Sequence, residues 1–318
     1  MLIELEDNEL KGYGEACLPA YLGEETLDTI SFLAKAEGVL SLASTSSNID
    51  EIMRELDQLS SRHNAAKAGI NIALWDMKSK CEGRGLSESL GLSPYEPVST
   101  SATIGIDDDE LILQKKITET EQFPILKIKA GTNDDKKLIG LVRKYTSKPL
   151  YVDVNQGWTN EVHALEMLHW MKEKNVLMVE QPMPVEEIAK MRYLRLQSPL
   201  PLIADESVKR LKDLGAIADC FHGINIKLMK SCGISEARQM IQMGKKMEFK
   251  IMLGCMAESS CATSAMLHLS SLGDYLDLDA PNLIVNDPFE GVSYYEGKVQ
   301  LRHKTGNGAI LRDVNFFN

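Results

Sequence analysis

Apolar and polar positions along the chain follow two alternating periods. From residue 102 onward, short apolar segments rich in β-branched residues alternate with longer stretches whose apolar residues recur every three or four positions. The first pattern is typical of buried β-strands and the second of amphipathic α-helices. The eight predicted strands are ATIGI (102–106), ILKIKA (125–130), LYVDVN (150–155), VLMVEQ (176–181), PLIADE (201–206), GINIKL (223–228), FKIMLG (249–254) and YLDLDA (275–280).

The spacing of these strands predicts a barrel. Successive strands begin 22 to 26 residues apart, and helix-like stretches such as 160–175 and 235–248 lie between them. Parallel strands joined by helices and repeated eight times close into a TIM barrel. After the eighth strand, Pro281, Pro288 and Gly291 interrupt the pattern where an eighth helix would follow. We therefore expect an α/β fold, a modified TIM barrel of the type (β/α)7β.

The segments before and after the barrel have a different character. Residues 1–97 contain a predicted strand (LIELED), a predicted turn (NELKGYGE) and helices that include 25–41 and 64–83. This mixture predicts an α+β capping domain, followed by the barrel at 98–285. The last segment, 286–318, contains the strands KVQLRHK and AILRD, which we expect to return to the cap.

Composition narrows the classes of partner. The 318 residues are 44% hydrophobic and 25% charged, with 35 basic and 46 acidic side chains, which is typical of a globular protein. No stretch is dense in Lys and Arg, so nucleic acid is not an expected partner. No apolar run is long enough to cross a bilayer, and the acidic N-terminal segment does not resemble a signal peptide. We expect no membrane partner and a cytoplasmic location.

Cysteine and histidine spacing excludes two kinds of site. The six cysteines form no C-x-x-C pair, and the six histidines form no H-E-x-x-H motif. Neither a disulfide framework nor a zinc site is therefore predicted.

Ionisable residues stand at the ends of six of the eight predicted strands. They are Lys127 and Lys129 on the second strand, Asp153 on the third, Glu180 on the fourth, Asp205 on the fifth, Lys227 on the sixth, and Asp277 and Asp279 on the eighth. The active site of a TIM barrel lies at the carboxyl ends of its strands. This succession therefore predicts an active site at the barrel mouth.

Three of these residues predict a metal site. The carboxylates of Asp153, Glu180 and Asp205, on neighbouring strands, would repel one another at low dielectric, so a cation must lie among them. An all-oxygen ligand set favours Mg²⁺, with Mn²⁺ as a substitute, and we expect one ion per chain. Lys129 and Lys227 flank this centre, where a cationic neighbourhood would lower a lysine pKa toward values useful for a general base. Two bases across a metal suit removal of a proton α to a carboxylate, because a divalent ion stabilises the enediolate.

At these residues the sequence resembles the enolase superfamily, in the branch of muconate cycloisomerases, o-succinylbenzoate synthases and dipeptide epimerases. The matching strings are ALWDMKSK (73–80), LKIKAG (126–131), YVDVNQGWT (151–159), VEQPMP (179–184), IADES (203–207) and NIKLMKSCGI (225–234). The resemblance implies that Lys129 and Lys227 form the acid/base pair and that Lys127 lies near the substrate carboxylate. It also implies that Asp153, Glu180 and Asp205 are the metal ligands.

The D-x-D of the eighth strand predicts the reaction. Asp277 and Asp279 share one face, where two carboxylates would bind an ammonium group by charge-assisted hydrogen bonds. The alternative is that Asp277 and Asp279 have no binding role and stand at a strand end that faces solvent. Dipeptide epimerases carry D-x-D at this place to hold the free amino end of the dipeptide, whereas muconate and o-succinylbenzoate have no ammonium group.

We therefore predict a dipeptide epimerase, an isomerase that inverts the C-terminal residue by a Mg²⁺-dependent two-base 1,1-proton transfer. By resemblance the expected substrate is L-Ala-D/L-Glu, a dipeptide derived from peptidoglycan, which places the enzyme in peptidoglycan recycling. The alternatives are an o-succinylbenzoate synthase, a muconate cycloisomerase or an N-acylamino acid racemase on the same scaffold, or a catalytically silent dipeptide-binding protein. Oligomeric state stays open, with a homo-oligomer as one option.

Four further residues are predicted to line the substrate pocket. Thr103 lies on the first strand, and Cys255, Met256 and Glu258 follow the seventh. Cys255 and Met256 fit a core role equally well.

The chain begins near the second strand of the cap that related enzymes have. We therefore expect the strand and the lid loop that precede it in relatives to be missing. The segment CLPAYLGEET (17–26) is then the candidate to cover the substrate in its place.

Overall fold

The computed structural model describes residues 1–41, 44–107, 109–132 and 134–313. Its strands are β1 (Leu2–Asp7), β2 (Leu10–Glu15), β3 (Val98–Ser99), β4 (Ser101–Ile104), β5 (Ile125–Lys129), β6 (Leu150–Asp153), β7 (Val176–Glu180), β8 (Leu202–Ala204), β9 (Gly223–Ile226), β10 (Lys250–Gly254), β11 (Tyr275–Asp277), β12 (Phe289–Glu290), β13 (Val292–Tyr295), β14 (Lys298–Leu301) and β15 (Ile310–Leu311). Its α-helices are α1 (Thr26–Leu40), α2 (Ile49–Leu59), α3 (Asn64–Cys81), α4 (Leu86–Ser89), α5 (Glu110–Glu119), α6 (Asp135–Tyr145), α7 (Glu161–Glu173), α8 (Ile188–Gln197), α9 (Ile234–Lys246) and α10 (Ser260–Leu267). Within these ranges no helix is both long and apolar enough to cross a membrane.

Strands β4 to β11 form one parallel sheet of eight strands in sequence order. Helices α5 to α10 connect them, except that a 3-10 helix, Leu211–Ile217, joins β8 to β9. After β11 a short 3-10 helix, Ala280–Leu283, stands where an eighth α-helix would follow. The predicted fold, a (β/α)7β barrel with an α+β cap, is therefore confirmed. All eight predicted barrel strands are present, most of them ending earlier than the sequence pattern suggested.

The seam between the first and last barrel strands is held by side chains. Ser101 Oγ donates a hydrogen bond to Asp277 Oδ1 at 2.7 Å. Thr103 N donates to Asp279 Oδ2 at 2.6 Å. Both carboxylates of the D-x-D motif therefore also close the barrel.

The barrel interior contains two layers, because alternate residues of each strand point inward. The apolar layer is a separate cluster of Ile125, Tyr151, Met178, Ile203, Met252 and Tyr275. The polar layer lies beyond it, at or just after the ends of the strands, and consists of Lys127, Lys129, Asp153, Glu180, Asp205, Lys227 and Asp277. The apolar layer fills the barrel beneath the polar layer, which faces the carboxyl ends of the strands.

In the cap, one prediction was wrong. The segment predicted as a turn, 8–15, contains β2, which pairs with β1 in an antiparallel hairpin. The turn is limited to Asn8 and Glu9, whose φ angles are 50° and 70°. Gly12 and Gly14 serve close packing, since an added Cβ would lie 2.2 Å and 1.9 Å, respectively, from backbone oxygens of α3. Helices α1 and α3 lie where the pattern predicted helices, whereas α2 was not predicted.

The C-terminal strands pair mainly with one another. Strand β14 pairs with β13 and β3, and β15 pairs with β12. The loop between β14 and β15 contacts the cap, where Asn307 N donates to Asp76 Oδ1 at 2.8 Å. We keep the division into 1–97, 98–285 and 286–318 as a proposal; residues 314–318 lie outside the described part of the chain.

Candidate active site

Backbone register brings the predicted site residues to one level. Lys129 lies opposite Asp153, and Asp153 lies opposite Glu180 in the parallel ladders. Asp205 and Lys227 each follow directly after the last residue of their strands, β8 and β9. The structure therefore brings the predicted lysines and metal ligands together at the barrel mouth.

Lys127 lies at the centre of this group and is buried. Its Nζ is 2.7 Å from Asp277 Oδ2, 2.8 Å from Glu180 Oε2 and 3.2 Å from Asp153 Oδ2. Burial alone would lower the pKa of Lys127, but these three carboxylates raise it well above its usual value. Lys127 is therefore a fixed positive charge in the polar layer.

Lys129 and Lys227 approach the carboxylates from opposite sides. Lys129 Nζ is 2.7 Å from Asp153 Oδ2, and its side chain is 33% exposed at the mouth. Lys227 Nζ is 2.7 Å from Asp205 Oδ2, and its side chain is 7% exposed. Because β5 and β9 are the second and sixth of eight barrel strands, the two ammonium groups face each other across the barrel.

The pKa of Lys227 differs from the lowered value that the sequence suggested. Burial lowers this pKa, but the carboxylates of Asp205 and Glu180 raise it well above the usual value. A lowered pKa would require a cationic neighbourhood, whereas the protein's own groups around Lys227 are chiefly anionic.

The three predicted metal ligands differ in how well lysines compensate them. Burial raises the pKa of Asp153 and of Asp205, but neighbouring lysines outweigh burial and lower both. For Glu180, burial and the nearby Asp153 carboxylate raise the pKa to about 7. Glu180 Oε2 is buried, and within the described part of the chain its ion pair is with Lys127 Nζ, which is shared with Asp153 and Asp277. Lysines therefore compensate Glu180 less fully than they compensate Asp153 and Asp205.

These observations decide whether a divalent ion fits. The donor atoms are the oxygens of three buried carboxylates, which suit Mg²⁺. No three acidic, His or Cys side chains of the described ranges are already gathered as a metal site. Lysine ammonium groups account for this, since Lys127 contacts Asp153 and Glu180 while Lys227 contacts Asp205. The donor set and the incompletely compensated Glu180 nevertheless fit a divalent cation.

Asp277 and Asp279 lie side by side in the seam, 3% and 2% exposed, rather than open at the mouth. Burial raises the pKa of Asp277, but Lys127 outweighs it, so the pKa falls. Asp279 has no ion pair within the described ranges, and burial together with Asp277 raises its pKa to about 7. Its hydrogen bonds come from Thr103, at N and Oγ1.

The residues after β10 also lie near this group. Cys255 Sγ donates to Asp277 O at 3.1 Å, which ties Cys255 to the seam. Glu258 is buried, and its Oε2 accepts from Met256 N at 3.3 Å. Burial, helped by the Glu15 carboxylate, raises the pKa of Glu258 well above its usual value. Glu258 therefore favours its neutral form.

Sequence reasoning missed Tyr21, although it singled out the surrounding segment. Tyr21 lies on a 3-10 helix of the cap, Ala20–Leu22, and its hydroxyl contacts Met256 Sδ at 3.0 Å. Tyr21 is 43% exposed as a residue, and partial burial together with the charge of Asp205 raises the pKa of its hydroxyl. Cys17 Sγ donates to Ala257 O at 3.2 Å in the same segment. The cap therefore contacts the barrel mouth here.

Two buried polar residues of the β9 region were also missed. Asn225 Nδ2 donates to Glu180 Oε1 at 2.7 Å. Lys230 Nζ donates to Asp205 Oδ1. The available signal was the N-x-K-x-x-K spacing, in which Asn225 shares the inward face with Lys227.

Comparison with known proteins adds a second line of evidence. Residues 113–312 match the family model described as Enolase C-terminal domain-like, and residues 1–91 match Mandelate racemase / muconate lactonizing enzyme, N-terminal domain. The chain is 41% identical over 308 residues to L-Ala-D/L-Glu epimerase of Bacteroides thetaiotaomicron, covering 97% of this chain and 80% of the relative.

Solved structures agree. A crystal structure of dipeptide epimerase from Enterococcus faecalis V583 superposes with a TM-score of 0.89 at 29% identity, covering 97% of this chain and 93% of the other. A dipeptide epimerase from Methylococcus capsulatus complexed with Mg ion gives 0.87 at 26% identity, covering 98% and 93%. This chain therefore belongs to the mandelate racemase / muconate lactonizing enzyme family of the enolase superfamily.

Proposed function

We propose that this protein is a dipeptide epimerase that inverts the α-carbon of the C-terminal residue, with L-Ala-D/L-Glu as its substrate. The observation that carries the proposal is the placement of Lys129 and Lys227 across the barrel from each other, with buried carboxylates between them. The similarity to L-Ala-D/L-Glu epimerase supports the choice of substrate. A role in recycling peptidoglycan-derived dipeptides in the cytoplasm follows from that choice.

The chemistry is a 1,1-proton transfer. One lysine in its neutral form removes the α-proton from one face of the substrate, and the other, protonated, delivers a proton to the opposite face. Which of Lys129 and Lys227 acts as the base depends on the configuration of the substrate. Lys127 supplies a permanent positive charge that would attract the substrate carboxylate.

Asp153, Glu180 and Asp205 would hold one Mg²⁺. The bound ion supplies positive charge that stabilises the enediolate and offsets the carboxylates around the lysines. Burial of the three carboxylates, Lys127 and Lys227 excludes water and strengthens the charge interactions among them.

The D-x-D motif supports a substrate with a free amino group. Asp279 is buried and has no ion pair within the described ranges, so a substrate ammonium would supply the missing counter-charge. Thr103, Cys255, Met256 and Glu258 would line the remaining walls. Cycloisomerase and o-succinylbenzoate synthase substrates have no ammonium group, and they would leave Asp279 uncompensated.

The test is a dipeptide-library screen in D₂O with Mg²⁺, read by deuterium incorporation at the α-carbon of the C-terminal residue. We expect incorporation into L-Ala-D-Glu and L-Ala-L-Glu, accompanied by interconversion of the two. Binding without exchange for every dipeptide would contradict the proposal and indicate a silent binding protein.

A further inference from the structure

The β9 region contributes two buried side chains that the proposed proton transfer does not use. Asn225 is fully buried and donates from Nδ2 to Glu180 Oε1 at 2.7 Å. Lys230 is 1% exposed, and its ammonium donates to Asp205 Oδ1, to Asp205 O at 2.7 Å and to Asn225 O at 3.0 Å. All three N–H groups of Lys230 are therefore used, which leaves it no proton to present to a substrate.

The neighbouring strand leaves room for Asn225. A Cβ added to Gly254 on β10 would lie 2.6 Å from Asn225 Oδ1 and 2.9 Å from Nδ2. Only glycine therefore leaves the amide where it is. Asn225 Oδ1 has no hydrogen-bond partner in the described part of the chain. The hydrogen bond to Glu180 and the space left by Gly254 thus set the orientation of this amide.

The three predicted metal ligands share one arrangement. In each, one carboxylate oxygen accepts a hydrogen bond from a group outside the proposed proton transfer, and the second oxygen contacts Lys127, Lys129 or Lys227. The holding groups are Asn155 N for Asp153 Oδ1, Asn225 Nδ2 for Glu180 Oε1, and Lys230 Nζ for Asp205 Oδ1. Each carboxylate is thereby fixed in rotation, with its second oxygen directed toward the other charges of the polar layer.

We propose that Asn225 and Lys230 are positioning residues that orient Glu180 and Asp205 for binding one divalent cation. The inference rests on the metal dependence of the proposed function. Partners that hold the ligands of a metal fix the ligand geometry in advance, and losing one typically costs about 10- to 100-fold in metal affinity. Because Asn225 is fully buried and Lys230 has all its N–H groups bound to protein oxygens, their loss should affect metal binding rather than the saturated rate.

The test measures Mn²⁺ binding in the absence of substrate. Free Mn²⁺ is followed by electron paramagnetic resonance in the wild type, Asn225→Ala and Lys230→Met, with thermal unfolding measured beside it. We expect the Mn²⁺ dissociation constant to rise about 10- to 100-fold in each variant. Excess metal should restore most of kcat, which a general loss of folding would not allow.

Matched controls come from the cap. Asn71 is fully buried and exchanges hydrogen bonds with Ser235, and Lys67 is fully buried and pairs with Asp57. Asn71→Ala and Lys67→Met should lower the melting temperature and leave Mn²⁺ affinity unchanged. An equal loss of Mn²⁺ affinity in these controls would overturn the inference.

The inference also fails if folded Asn225→Ala and Lys230→Met bind Mn²⁺ as tightly as the wild type, or if the wild type binds none. If Asn225→Ala does not fold, Gly254→Ala is the second variant. It retains Asn225 but pushes its side-chain amide out of place, and it must weaken Mn²⁺ binding. If both variants lose Mn²⁺ affinity while the wild type epimerises no dipeptide, the positioning role holds and the proposed function fails.

Discussion

The two layers inside the barrel come from the same strands, yet they have opposite character. Met178 and Glu180 on β7, and Tyr151 and Asp153 on β6, are two positions apart, with one residue between them. The apolar layer buries side chains that stabilise the fold, whereas the polar layer gathers buried charges and raises the pKa of Glu180 to about 7. Buried charges are a weak source of stability. The apolar layer therefore contributes mainly to stability, and the polar layer contributes the groups for chemistry.

The largest effect is expected for the two lysines of the polar layer. Lys129→Ala or Lys227→Ala should reduce epimerisation by about 10²- to 10⁴-fold or more, because a positioned acid or base contributes this much. The rate at which L-Ala-D-Glu and L-Ala-L-Glu interconvert measures this loss of activity. Lys250→Ala is the control, since Lys250 is exposed at the opposite end of a barrel strand and should leave activity intact. Unimpaired epimerisation in either variant would defeat the two-base mechanism.

Metal removal is expected to have the next largest effect. EDTA should abolish activity, and Mg²⁺ or Mn²⁺ should restore it. Metal affinity should fall by about a hundredfold or more in each ligand variant, Asp153→Asn, Glu180→Gln and Asp205→Asn. This loss exceeds the one expected when a residue that hydrogen-bonds to a ligand is removed. Titration calorimetry measures the affinity. Full activity in a chelated, metal-free preparation would end the assignment of the polar layer to a metal.

A substitution in the apolar layer should have the opposite profile. Met178→Ala should lower the free energy of unfolding by about 3 kcal/mol, because it leaves a cavity in a packed core. The folded fraction should keep its kcat within a few fold. Glu180→Gln should cost little stability or even raise it in metal-free protein, since burial and Asp153 disfavour the Glu180 charge more than Lys127 favours it. Urea unfolding beside steady-state kinetics compares the two. Equal losses of stability would erase the distinction between the layers.

The D-x-D motif should show a smaller effect on specificity. A charge-assisted hydrogen bond contributes about 1.5 to 3 kcal/mol, so Asp279→Asn should lower kcat/KM roughly 10- to 100-fold for a free dipeptide. Asp277→Asn should do the same, although Asp277 also contacts Lys127 and Ser101. N-acetyl dipeptides should be poor substrates of the wild type. The two variants should discriminate much less between N-acetyl and free dipeptides. If the wild type turns over N-acetyl dipeptides equally well, an N-acylamino acid racemase becomes the better assignment.

The smallest effect concerns a buried ionisable group outside the polar layer. Burial lowers the pKa of His268 to about 4. The unfolded chain therefore binds a proton more readily, so stability present above pH 6.5 is lost as the pH falls toward 4. Between pH 7 and 5.5 His268 should account for a loss of about 1 kcal/mol.

His268→Asn keeps an acceptor for Ser87 N, which donates to the imidazole, but the new side chain cannot titrate. Urea unfolding at several pH values should show a flatter dependence for this variant. If the pH dependence of stability is the same in this variant as in the wild type, groups other than His268 produce it.

Much of this organisation could be predicted from the sequence, because it is local. Strand spacing predicted the barrel, and ionisable residues at strand ends predicted the members of the polar layer. Contacts between distant strands could not be predicted, such as Asn225 with Glu180 or the seam bonds of Asp277 and Asp279. The hairpin of the cap was missed because Gly12 and Gly14 suggested a turn, although their function is to admit α3.

In the proposed mechanism Lys129 and Lys227 each serve one face of the substrate. The most direct measurement is proton NMR of L-Ala-D-Glu and L-Ala-L-Glu in D₂O with Mg²⁺ and, separately, Lys129→Ala and Lys227→Ala. We predict that each variant exchanges the α-proton of one epimer only, and that the two variants exchange opposite epimers. Exchange of the same epimer by both variants, or of both epimers by either one, would contradict the placement of the two bases.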